Sequence, residues 1–539
     1  MFDGSYTTQR AIMLEAFLSP ELLPSTQAVI RIAYGLLLTG TLLFFLPHWR
    51  RLFLTSRFGG YGATTKKVLA VQNPVVLPIV MTAWLCSAVL LTLGQWTVPA
   101  AALNAAFCWY FFVAMRWSGL HRGFGAPGFM TWWMGISVFL VEFTSHYAPA
   151  ARSLAILAVQ ADFAFIMLSA GTYKAIAGYA HNEGMNYGMA NPAWSYWPNF
   201  FACVKPNHIF LRTANHLGWS VEVIGAVMML IPGLRFWGGL MILLSFVYVW
   251  AQIRLGTLCG IVIACCLFFF TAESWGGYAL AAITPMTFTQ TAVIAETGTT
   301  WLTWLSATVL ATYLVLLPLA HAGLFFNFLT KRPLPRLIQS ALAAYTNALG
   351  IIIWRVFSAD HTRFFLRIYA EPRGQRSGEQ PGLQRLQKAN KEDSDRSLRR
   401  DERTQVAETM FVQPPAHRRV INDYQTRVPR FRHVVESITL TCIFTSRRYF
   451  ASRPEVFEQK LLTYAATLPH SDDEQLVFQY VHMEKAKHSL RFLTESEHIV
   501  DVKTGTVSER SLGAQRAIPA PRSVVFEAAG HGSYVAKGG

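Results

Sequence analysis

Residues 153–174 read SLAILAVQADFAFIMLSAGTYK, twenty-two residues in which only Asp162 and Lys174 carry charge. A helix rises 1.5 Å per residue and the hydrocarbon core of a bilayer is roughly 30 Å thick, so about twenty apolar residues cross it. This run therefore reads as a transmembrane helix, and similar runs lie on both sides of it. The expected spans are 28–47, 76–93, 98–115, 129–144, 153–174, 216–231, 236–252, 257–272 and 301–324, about nine in all. A tenth apolar stretch, 337–354, has Ser340, Thr346 and Asn347 in its middle and reads either as a crossing or as a segment along the membrane surface.

Composition agrees with a membrane body. The chain of 539 residues is 52% hydrophobic and 14% charged, which is not a soluble balance. Residues 1–350 hold 18 Lys plus Arg and 9 Asp plus Glu, about 8% charged, whereas the other 189 hold 29 and 22, about 27%. The first two thirds is thus expected in the membrane and the last third in water. Collagen, coiled coil, a disulfide scaffold and a wholly soluble enzyme are excluded. A net charge of +16 would suit nucleic acid. The basic residues of the body sit in short loops, however, and the remainder shows no zinc-finger, homeodomain or RNA-recognition signature, so no nucleic-acid partner is expected. Seven cysteines lack CxxC or metal-ligand spacing and read as small buried hydrophobes, so no metal site is expected.

Residues 1–27 contain Asp3, Glu15 and Glu21 and lack the basic start and apolar core of a cleavable signal, so the first span is expected to be its own anchor. Arg50, Arg51, Arg57, Lys66 and Lys67 follow the first span, Arg116 and Arg122 the third, and Lys331, Arg332 and Arg336 the ninth. The loop 273–300 contains Glu273 and Glu296 and no basic residue. The positive-inside rule then puts the amino terminus outside and the odd-span exits in the cytoplasm. Tryptophans at the span edges, Trp84 and Trp219 among them, read as interfacial belts or as the wall of a cavity for a flat ligand.

An ionisable side chain at depth costs a few kcal/mol and needs a partner, so these positions are where function is sought. They are Glu142, Asp162, Lys174, Glu222 and, just past a span, Arg254. Asp162 and Lys174 are twelve residues apart on one helix, roughly 18 Å, and cannot pair. Antiparallel neighbours bring Lys174 level with Glu222 and Glu142 level with Asp162, so a Lys174 to Glu222 contact and an acidic pair are expected. The same contact also reads as a purely structural ion pair. Residues 181–215, rich in Asn, Trp, Pro and Gly, read either as a re-entrant lid or as a loop on the headgroups.

Ala170-Gly171-Thr172-Tyr173-Lys174 resembles the Ala-Gly-x-x-Lys signature of the HTTM domain, the transmembrane region shared by vitamin K-dependent gamma-carboxylase and many bacterial proteins. Arg31 with Gly35 resembles the opening of that domain's first helix, His146-Tyr147 its His-Tyr, and His216-Leu217-Gly218-Trp219 through Glu222 its following helix. The resemblance covers roughly residues 27–272. It implies that Lys174 is a base acting on a reduced quinone, with Glu222 as its partner. A neutral amine is required, and burial favours one, whereas a carboxylate beside it works against it. Two departures stand out. Trp250 replaces a His of the carboxylase, and nothing near Gly128 matches its Asn-His. The large lumenal portion of the carboxylase also has no counterpart, so glutamate carboxylation is not expected. Asp162, Glu142 and Trp250 are the candidate substrate contacts, and a quinone-like cofactor is implied by resemblance alone.

Beyond the body, 371–403 is dense in charge and reads as a linker. Residues 438–444 alternate as a strand, Arg453-Pro454-Glu455 opens a helix carrying Phe457, Leu461, Tyr464 and Leu468, and 476–483, 489–494 and 499–502 read as strands. His433, His470, His482, His488 and His498 are not at ligand spacing. Arg430, Arg432, Arg447 and Arg448 read as a contact for anionic lipid or an acidic partner, or as a solvated face.

The expected fold is an all-α polytopic membrane helix bundle of about nine spans followed by a small soluble α+β domain. Its parts are an N-terminal segment 1–27, the bundle 28–354, a charged linker 355–417, the α+β domain 418–507 and a flexible tail 508–539. The expected function is that of a multi-pass protein of the cell (inner) membrane that handles a lipophilic, quinone-like substrate at Lys174. The alternative is a non-catalytic anchor, scaffold or transporter that presents its C-terminal domain to a protein partner.

Overall fold

In hydrocarbon a long apolar run satisfies its own backbone polar groups as a helix, and the described part of the first 350 residues is mostly helical. The structure, a computed structural model, describes residues 19–49, 53, 70–114, 125–284, 300–330, 332–351, 353, 362–373, 417–424, 434–449, 454–485 and 490–511. The described helices of the bundle are α1 (Pro24–Phe45), α2 (Val76–Leu93), α3 (Thr97–Trp109, extended by a π-helical turn Tyr110–Ala114), α4 (Gly125–Tyr147) and α5 (Arg152–Ile176). Two short helices follow, α6 (Gly184–Ala190) and α7 (Pro198–Ala202). Then come α8 (Ile209–Leu230), α9 (Arg235–Gln252), α10 (Leu258–Cys266), α11 (Trp275–Ile283), α12 (Thr300–Thr330) and α13 (Arg336–Leu349).

Among the described residues, six helices are long and apolar enough to cross a membrane: Pro24–Phe45, Val76–Leu93, Thr97–Ala114, Pro149–Ile176, Pro232–Gln252 and Trp301–Thr330. The protein is therefore membrane-embedded, and the expected count of nine is not confirmed. Helices α4 and α8, of 23 and 22 residues, are long enough, but buried polar groups such as Glu142, Asn215 and Glu222 lower their hydropathy. The run Leu258–Phe269 is too short, at about 18 Å.

The connections gather at two ends. At one, Arg152 donates to the Leu22 carbonyl at 2.9 Å and the Ala272 amide to the Glu21 carbonyl at 2.9 Å. At the other, the Tyr196 amide donates to the Gln252 carbonyl at 3.1 Å and the Arg254 amide to the Trp194 carbonyl at 2.6 Å. Within the stretch 337–354, expected to cross or to lie along the membrane surface, the described helix is about 21 Å long, short of a crossing. Its 14-residue helix α13 folds back along α12, where Asn327 donates to Gln339 at 2.9 Å and Leu342 lies over Gly323. Gly350, at φ +70, ends it in the left-handed conformation that glycine adopts without penalty. The basic loop residues Arg50, Arg51, Arg57, Lys66, Lys67, Arg116, Arg122 and Lys331, which set the expected orientation, lie outside the described residues.

The C-terminal third holds a five-stranded antiparallel sheet in the order β2-β1-β3-β4-β5, with β1 Phe364–Pro372, β2 Arg419–Asn422, β3 Glu474–Lys485, β4 Leu490–Asp501 and β5 Thr506–Ser511. Strand β1 falls in the stretch expected to be linker, and its charged residues Arg367 and Glu371 are both buried. The strands expected at 489–494 and 499–502 are one strand, β4, and β5 reaches into the expected tail. The strand expected at 438–444 is instead part of helix α14 (Val434–Tyr449). Its threonine and serine hydroxyls bond back to the helix carbonyls, Thr439 to Val435 at 2.7 Å and Thr445 to Thr441 at 2.6 Å, so burial on nearly every side needs no strand partner.

Helix α15 (Pro454–Ala465) buries Phe457, Leu461 and Tyr464 as expected. With α14 it covers one sheet face, where Tyr464 meets Phe478 and Phe444 meets Tyr480. On the opposite face buried Arg418 joins Glu371 at 2.9 Å to Glu497 at 2.7 Å. Arg447 pairs with Glu509 at 2.6 Å; Arg430, Arg432, His433 and His488 lie outside the described residues.

Candidate functional site

Helices α5 and α8 make the closest lateral approach near the signature residues. Gly171 has no side chain, and a Cβ there would stand 2.8 Å from the Trp219 carbonyl oxygen and 2.9 Å from Glu222 Cβ. That approach brings Lys174, in the last turn of α5, to Glu222: Nζ donates to Oε1 at 2.5 Å. Both side chains are nearly enclosed, with 11% and 4% of their surfaces exposed. The expected contact is present.

The pair sits in the wall of a cavity of about 370 Å³. Helices α8 and α9 create it by diverging. They touch where Gly225 faces Gly238, a Cβ on Gly238 falling 2.7 Å from the Gly225 carbonyl, and separate toward Thr213 and Tyr248. The rest of the lining is almost wholly apolar, Met167, Val221, Met241 and Phe246 among it. Phe210, Leu217, Leu244 and Tyr248 line the cavity and are also exposed on the outer surface of the bundle. The mouth therefore opens sideways between α8 and α9, into what would be hydrocarbon.

The segment expected to be a lid or a headgroup loop, 181–215, forms a platform at the end of the cavity. Every residue of α6 is buried. Tyr179 and Met185 line the cavity from one side of this platform, and Ile253 and Leu255 join them from beyond α9. Asn215 fixes it by accepting from the Gly184 and Met185 amides at 3.1 and 2.8 Å. The sheet docks on the same platform. Asn191 Nδ2 donates to the Thr362 and Phe364 carbonyls at 2.9 and 2.8 Å, Ser437 donates to the Ala193 carbonyl at 3.0 Å, and Arg363 pairs with Glu183 while lying over the Tyr187 ring.

The other candidate contacts lie elsewhere. Glu142 accepts from Gln27 Nε2 at 3.1 Å, near Arg31 and Arg152. Asp162 accepts from Trp133 Nε1 at 2.7 Å and from the Tyr313 hydroxyl at 2.6 Å. The expected acidic pair is not formed, because Asp162 is level with Trp133, nine residues or about 14 Å before Glu142 on α4. Trp250 is 44% exposed and faces outward, away from the cavity. Arg254 donates to the Pro192 carbonyl at 2.5 Å and so braces the platform. Sequence reasoning did not single out Tyr179, Met185 or the Gly225 and Gly238 contact; paired small residues on neighbouring helices were the available signal.

Fold and site together define an integral membrane helix bundle with a lateral apolar cavity and a sheet domain docked on one end. No family model matches the chain, and no characterised protein and no solved structure matches it either.

Proposed function

We propose that the bundle takes a lipophilic, quinone-like molecule from the bilayer into the cavity at Lys174 and Glu222. The observation that carries this reading is an apolar cavity with a lateral mouth and one ion pair in its wall. A ligand with a greasy body and an oxygen-bearing head suits it. Lys174 has three N–H donors, of which Glu222 takes one, and buried Glu222 Oε2 accepts nothing from the described residues. A ring carbonyl would accept from Lys174 and a ring hydroxyl would donate to Glu222, so both redox forms of a quinone are accommodated. As a base, Lys174 would first pass its proton to Glu222 and then take one from the ligand hydroxyl, as the HTTM resemblance implies. The charge pattern favours the inner membrane of a cell, with the sheet on the cytoplasmic side.

The test is binding of a short-chain benzoquinone to the purified protein, followed by native mass spectrometry. Lys174→Met is expected to weaken binding by about tenfold, the 1.4 kcal/mol of a charge-assisted hydrogen bond. Val221→Phe, which fills the cavity, should abolish it. Equal binding to all three proteins would sink the reading. The second reading, a scaffold, is favoured by the docked sheet, and it predicts no quinone binding and an undisturbed sheet in both variants.

A further inference from the structure

Asp162 is a carboxyl group in the middle of a membrane helix with no cation beside it among the described residues. It is 9% exposed, and its Oδ2 takes both hydrogen bonds, from Trp133 on α4 and Tyr313 on α12. Oδ1 takes none, and no Lys, Arg or His pairs with it among the described residues. An isolated carboxylate in such surroundings costs several kcal/mol, which two neutral donors on one oxygen only partly offset. An asparagine would accept the same two bonds without charge. What the carboxyl adds is the capacity to hold a proton.

The surroundings contain groups that can relay that proton. Tyr345, from α13, is within electrostatic range of Asp162, and its buried hydroxyl has no partner among the described residues. His321, from α12, is 4% exposed and both its ring nitrogens lack partners among the described residues. Its ring stacks at 5.3 Å on Phe165, one helical turn along α5 from Asp162. Ile351, just past the carbonyl end of α13, packs into the same cluster as Tyr313 and Ala161, and a helix C-terminus disfavours a bare carboxylate. Trp133, Tyr313, Tyr345 and His321 are thus the polar groups that α4, α12 and α13 turn toward this part of α5.

We propose that Asp162 is a proton-binding site inside the bundle, loaded and unloaded through Tyr345 and His321. It faces α12 and α13, is no part of the Lys174 cavity and does not depend on a ligand there.

Infrared difference spectra of the full-length protein in lipid vesicles, recorded across pH, test this. The expected result is a protonated-carboxyl C=O band that grows on acidification and is missing in Asp162→Asn, which keeps both hydrogen bonds and should elute and melt like the parent. After a pH jump, His321→Leu should slow the appearance of the band while leaving the pH at which it appears unchanged, a pattern that a purely structural histidine would not cause. Spectra of Asp162→Asn and parent that agree throughout the folded pH range overturn the proposal. So does an Asp162 signal that responds to sodium and not to pH, which would make the site one for a metal cation.

Discussion

At the residue scale, Gly171 sets the distance between α5 and α8. A Cβ there would also stand 2.8 Å from Val223 Cγ2, against packed backbone and a branched side chain that have little room to yield. Gly171→Val is expected to cost about 1–3 kcal/mol by overpacking and to separate Lys174 from Glu222. Thermal unfolding in detergent measures it, with Gly233→Ala as the control, since nothing lies within 4 Å of that position. The ion pair gives a second prediction. Removing one partner leaves a buried charge, so Lys174→Met and Glu222→Gln should each cost about 3–5 kcal/mol, and the double variant distinctly less than their sum. Additive losses in the same unfolding assay would mean that the two side chains do not act as a pair.

At the element scale, β4 is held against α14 and α15 through His498. Its ring lies 5.2 Å from both Phe444 and Phe457. Burial there lowers the imidazole to about 4, with Arg447 acting the same way and Glu509 opposing. The unfolded chain therefore takes up this proton first, near pH 6.5. The sheet is expected to be fully stable above about pH 6.5 and to lose on the order of 2–3 kcal/mol as pH falls toward 4. Hydrogen exchange of β4 amides at pH 7 and pH 5, corrected for intrinsic rates, measures the loss. His498→Phe, which keeps the aromatic packing, should abolish most of the pH dependence.

At the scale of the whole molecule, the platform between α5 and α8 is shared by cavity and sheet. Asn191 supplies both of its amide hydrogens to carbonyls at the start of β1. Asn191→Leu removes both of these donors from the start of β1 and is expected to weaken docking by about 1–3 kcal/mol. Faster limited proteolysis of the C-terminal third, with the bundle still folded, would report it; an unchanged cleavage rate would show that Asn191 does not hold the sheet.

The sequence by itself determined the membrane body, the charged last third and the Lys174 to Glu222 contact. Apolar run length and helix rise are local quantities, and antiparallel neighbours fix relative depth near a short connection. The same arithmetic failed for Glu142 and Asp162, because a few residues of offset in a turn displace two side chains by more than a hydrogen bond can reach. Local pattern also misled at 438–444, where alternation of β-branched residues is compatible with a helix whose hydroxyls bond to its own backbone. It hid β1, where buried Arg367 and Glu371 look like surface until Arg418 and its neighbours are folded around them. Only the tertiary structure decided the cavity, which exists because α8 and α9 meet at Gly225 and Gly238 and part beyond them. It also decided the docking of the sheet on the platform, since both depend on surfaces from segments far apart in the chain, and local sequence carries no record of which surfaces will meet.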